Sequence, residues 1–97
     1  MIAGLFTAAV LAVEAAPVGV IFDTDMQTDF DDVGALACLH ALADAGECEI
    51  LATVSSTRGN ASVAAIEVIN GYYGRPWLPV GSVKGLGVLD FNRSNGA

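Results

Sequence analysis

The stretch Val18–Ala35, VGVIFDTDMQTDFDDVGA, limits what this chain can fold into more than any other. Five aspartates (Asp23, Asp25, Asp29, Asp31 and Asp32) fall within ten residues. They follow the apolar run Val18, Val20, Ile21 and Phe22, and an apolar segment with helical spacing comes next. The chain's net charge is −7, and without these five carboxylates it would be −2, so most of the net charge comes from one place. Carboxylates packed this closely repel by roughly 1–4 kcal/mol per close pair, between the dielectric of water and that of a protein surface. Splaying into solvent, holding a proton or binding a cation relieves that repulsion. Oxygen donors alone favour Ca²⁺ or Mg²⁺, whereas zinc prefers Cys and His, and neither occurs inside the cluster.

The apolar run reads as a buried parallel strand. The aspartates then sit at its carboxyl end, ahead of a helix, which is where ligands bind in open α/β sheets. Capping of that helix accounts for Asp31 and Asp32 but leaves Asp23 and Asp25 over. The spacing predicts strands at Val18–Phe22, Glu49–Val54 and Val80–Val83. It predicts helices from Asp32 to about Ala45 and over Ala61–Tyr73, with Gly46 ending the first. The expected apolar sides are Val33, Leu36, Ala37, Leu39, His40 and Ala43 in the first helix, and Val63, Ile66, Val68 and Ile69 in the second. This β-α-β-α-β order with short connections predicts an α/β fold with a parallel, right-handed, Rossmann-like sheet. The polar loop Ser55–Asn60 then opens on the same sheet edge as Asp23–Asp32. Asn60 there is either an N-cap or a group that exchanges hydrogen bonds with a sugar hydroxyl. Arg58 reads as a solvated loop residue.

The chain's 97 residues, 54% of them hydrophobic, suffice for one small domain. Residues 1–16 are apolar and small, too short to span a bilayer, and fit the core of a signal peptide despite lacking an early Lys or Arg. A secreted or periplasmic location is therefore expected, and a cytoplasmic one if that segment is instead a packed helix. Pro17 marks the boundary to the domain at 17–97. Four scattered basic residues speak against nucleic acid. His40 reads as a core histidine, Cys38 and Cys48 as free thiols, and Tyr72, Tyr73 and Trp77 as packing groups. Asn60-Ala61-Ser62 and Asn92-Arg93-Ser94 match the glycosylation sequon, which matters only in a eukaryotic secretory route. A homo-oligomer is compatible with the sequence.

Three motifs bear on the aspartates. An EF-hand loop counted from Asp23 needs Gly and Glu where Thr28 and Gly34 stand, so it fails. The DxDx(T/V) motif of haloacid dehalogenase-type phosphatases matches partially, with Gln27 in the last place. The best match is to the inosine/uridine-preferring nucleoside hydrolase family. The segment DTDMQTDFDD resembles a longer variant of that family's DxDxGxDD, sharing Asp23, Asp25, Asp31 and Asp32, with two extra residues and Gln27 where Gly is usual. Gly59-Asn60 resembles the Gly-Asn pair that follows the family's second strand.

The resemblance runs from Val18 to about Gly85. It implies the N-terminal part of a nucleoside hydrolase fold, and cleavage of a nucleoside's N-glycosidic bond by a Ca²⁺-activated water. By similarity Asp25 is the general base and a Ca²⁺ ligand, and Asp32 a second ligand. Asp31 and Asn60 hold the sugar, Asp23 is a supporting acid, and Asp29 is left without a counterpart. The family's further ligand Asp and leaving-group His have no match after Gly85, so a truncated and weakly active or inactive piece is expected. Two alternatives stand: a Mg²⁺-dependent phosphatase with Asp23 as nucleophile, and a non-catalytic module that binds Ca²⁺ or sugar.

Overall fold

A computed structural model describes residues 14–27, 30–58, 60–85 and 87. The elements are β1 (Val18–Thr24), α1 (Asp31–Asp44), β2 (Cys48–Ser55), α2 (Asn60–Tyr72) and β3 (Val80–Ser82). The strands form one three-stranded sheet in the order β1-β2-β3, with both pairings parallel. The α/β class, the element order and the parallel sheet are thus as expected. Strand β1 runs past Phe22 because the ladder continues through Asp23↔Val54 and Thr24↔Ser55. Helix α1 starts one residue early, at Asp31, because the Gly34 amide donates to Phe30 O at 3.1 Å and closes the first turn there.

Strand β2 buries Cys48 and Ile50, then Thr53 and Ser55, so its alternation changes phase midway. The pairing explains why. Val20 lies opposite Ile50 and Ile21 opposite Ala52, which makes Leu51 an extra residue in the strand. Such a bulge puts two successive side chains on one side and resets the period. Leu51 and Ala52 both turn away from the helices, so Thr53 and Ser55 stay on the face that Cys48 and Ile50 use. The Leu51 side chain lies over Gly19, where an added Cβ would meet its Cδ1 at 2.9 Å.

Leu36, Leu39, Cys48, Ile50 and Ile66 form the centre of the core, with Val20, Phe22, Val33, Ala43 and Ile69 packed around it. Met26 joins it from the loop after β1. The buried stripe of α2 is Ser62, Ile66 and Asn70, at the four-residue spacing of one helix face. Val68 is exposed, contrary to the expected apolar side, because it lies off that stripe.

Both helices end in the same device. Glu47 N donates to Leu42 O and Gly46 N to Ala43 O, with Gly46 at φ +78°. Arg75 N donates to Asn70 O and Gly74 N to Gly71 O, with Gly74 at φ +76°. These are Schellman endings, whose left-handed residue suits glycine.

The second ending brings Arg75 to a buried polar chain. Asn70 Nδ2 donates to Thr53 Oγ1 at 3.1 Å, and Asn70 Oδ1 accepts from His40 Nε2 at 2.9 Å. Arg75 Nη1 donates to His40 Nδ1 at 3.2 Å, and Nη2 pairs with Asp44 Oδ1 at 2.5 Å. An acceptor at Nε2 and a donor at Nδ1 assign His40 the Nε2–H tautomer. The Tyr73 ring stacks on it at 4.8 Å. His40 is fully buried, as its place on the apolar side of α1 implied. Cys38 and Cys48 are free thiols, one exposed and one buried. Of the three aromatics expected to pack, Tyr73 stacks on His40 and Tyr72 meets the Tyr73 ring edge-on at 5.1 Å while staying 82% exposed; Trp77 is 73% exposed. Among the described residues no helix is long and apolar enough to cross a membrane.

Candidate functional site

In a parallel β-α-β-α-β unit every strand ends at one edge, and every helix that follows a strand begins there. The site residues are therefore gathered by topology before any side chain is considered. Two contacts then lock the ends of β1 and β2 together. Ser56 N donates to Thr24 O at 2.9 Å, and Ser56 Oγ donates to the same carbonyl at 3.2 Å. Just beyond, Thr24 Oγ1 accepts from Met26 N at 3.0 Å, which turns the chain away from the strand and tucks Met26 into the core.

Asp25 lies between Thr24 and Met26 and is exposed, because the turn that buries Met26 sends its neighbour outward. Asp23 is also exposed, since it faces away from the helices while Thr24 faces in. Asp31 and Asp32 occupy the first turn of α1, where acidic side chains favour the helix dipole. They do not cap it. Phe30 holds the cap position, with no side-chain cap bond. Asp31 is exposed and Asp32 half-buried. Asp29 lies outside the described residues, as do Gly59, the sequon at Asn92 and most of residues 1–16.

Asn60 opens α2 and is exposed at the same edge. It is fixed from below, since Ser55 Oγ donates to Ser62 Oγ at 2.8 Å and ties the last residue of β2 to the first turn of α2. Both hydroxyls are buried, so the sequon at Asn60 has its serine committed inside the fold. The loop after β2 also packs against β3, with Val83 N donating to Ser55 O at 3.1 Å. Arg58 is exposed, as expected.

Asp23, Asp25, Asp31, Asp32 and Asn60 therefore share one sheet edge. They do not form a metal cage on their own, because among the described residues no three His, Cys, Asp or Glu side chains group to hold an ion. Ca²⁺ takes about six to eight oxygens. Asp25 and Asp32 offer the right donor type but do not complete that set.

Sequence reasoning passed over the hydroxyl layer beneath the acids: Thr24, Ser55, Ser56, Thr57 and Ser62. The signal was present in the run Ser55-Ser56-Thr57 at a strand end, which reads as an ordinary polar loop. A separate apolar groove of about 300 Å³ lies between the helices, lined by Val33, Ala37, Val68, Ile69, Tyr72 and Tyr73. None of the predicted site residues lines it. No protein-family model, characterised protein or solved structure matches the chain.

Proposed function

We propose that this chain carries the carboxylate half of a site that cleaves the N-glycosidic bond of nucleosides, of the nucleoside hydrolase type. The observation that supports this reading is the clasp between Thr24 and Ser56, which joins the loop bearing Asp25 to the loop leading to Asn60. Acid and amide side chains on adjoining strand ends suit a sugar, whose hydroxyls both donate and accept. In this reading Asp25 takes the proton from the attacking water, Asp31 and Asn60 hold sugar hydroxyls, and Asp23 supports Asp25. Asp25 and Asp32 would hold Ca²⁺, which would acidify the attacking water. Donors from outside the described residues complete the site.

The test is calorimetric binding of inosine in Ca²⁺ buffer. Binding is expected to weaken about tenfold in Asn60→Ala, the loss of a single good hydrogen bond, and to weaken as well in Asp25→Asn. The chain alone is expected to release little nitrophenol from a nitrophenyl riboside. Inosine binding that ignores both substitutions would contradict the reading. Phosphate trapped covalently on Asp23 would replace it with a phosphatase.

A further inference from the structure

Two buried side-chain atoms among the described residues have no hydrogen-bond partner, Gln27 Nε2 and Thr57 Oγ1. Thr57 is only 4% exposed. Native proteins keep few such groups, because water has been removed and nothing has replaced it. Their placement is telling. Gln27 is three residues beyond Thr24 and Thr57 is one beyond Ser56, the two residues of the clasp. One unpartnered atom thus sits on each of the two loops that frame the proposed site.

The chemistry of the two atoms and the charge around them narrow what can satisfy both. An amide nitrogen only donates, so Gln27 Nε2 cannot ligate a cation. An anion meets Asp23, Asp25, Asp31 and Asp32 at this edge, against Arg58 on the two loops and Lys84 just after β3. An apolar group would leave both atoms unpaired. A hydroxyl-rich neutral ligand matches both atoms in chemistry, since a hydroxyl oxygen can accept from Nε2 and a hydroxyl can exchange a hydrogen bond with Oγ1.

We propose that Gln27 and Thr57 form a recognition pair for the hydroxyls of a neutral polyol, a role that rests on the sugar-binding reading above. Neither residue takes part in the reaction in that reading. Their pairing carries an unusual signature. Groups already bonded inside the protein lose stability when removed, whereas groups unpartnered until ligand arrives leave the free protein as stable or more so.

The test uses the ¹⁵N-labelled full chain with Thr57→Val and Gln27→Met, both close in shape to the native side chains. D-ribose and inorganic phosphate are titrated separately in Ca²⁺ buffer, and thermal melts are recorded without either. Ribose is expected to shift amides at 24–27 and 55–58, and each substitution to weaken it about three- to tenfold, the value of one hydrogen bond. The Tm of each variant is expected to be unchanged or higher. Equal ribose affinity in wild type and variants would overturn the pair and leave the sugar reading standing. A lowered Tm in both variants would also overturn it, since the atoms would then have partners within the fold. Stronger shifts from phosphate than from ribose at these amides would make the site an anion site. No ribose binding by the wild-type chain would overturn both the pair and the reading beneath it.

Discussion

Asn70 carries more of this fold than its place in the sequence indicates. Its amide satisfies Thr53 on β2 and His40 on α1 at once, and all three residues are almost completely buried. Asn70→Ala strands His40 Nε2 and leaves Thr53 Oγ1 only its 3.4 Å bond to Pro79 O, and is expected to cost about 2–4 kcal/mol, read as a lower urea midpoint. Asp44→Ala, at the solvent end of the same chain, is expected to cost less than about 1 kcal/mol, because an exposed partner is readily replaced by water. Equal costs would mean that the chain is not graded by burial. The carboxylates of the site were legible because charge density is visible in a bare sequence. His40 was legible because a lone histidine on an apolar helix side has few places to go. Asn70 and Arg75 were not. A polar residue on a helix looks like surface until the stripe Ser62-Ile66-Asn70 is known to face inward, and Arg75 reaches His40 only because Gly74 turns the chain back.

At the scale of elements, the five segments were legible from apolar runs and their punctuation, with ends shifted by one or two residues. Glycines after apolar helical segments announced the Schellman turn at Gly46. The bulge in β2 was not visible, because Glu49–Val54 (EILATV) reads equally well as an unbroken buried strand. Its function is phase, and that makes it testable by deletion. Removing Leu51 restores one-to-one pairing with β1 and keeps Cys48, Ile50, Thr53 and Ser55 on one face. Removing Val54 instead turns Ser55 to the other face and breaks its bond to Ser62. The Leu51 deletion is expected to keep dispersed amide spectra and a cooperative melt, and the Val54 deletion to lose both. The reverse order would show that the bulge itself, and not the phase it sets, supports the sheet.

For the whole molecule, the helices cover one face of the sheet and the other face stays open among the described residues. Ile21 is 64% exposed there, and Leu51 is exposed beside it. A parallel sheet is normally covered on both faces, so the described unit is one layer short of a closed α/β domain. The site shares that incompleteness: acids and an amide stand along one edge with no third ion ligand among the described residues. In the proposed reading this edge is a site and not a crowded, solvated row of charges. Ca²⁺ titration of the ¹⁵N-labelled chain, followed residue by residue, tests it most directly. Saturable shifts confined to amides near 23–32 and 55–60, and abolished by Asp25→Asn, are the expected result. Weak, unsaturated shifts spread equally over Glu47, Glu49 and Glu67 would contradict it, leaving the five aspartates as charge alone.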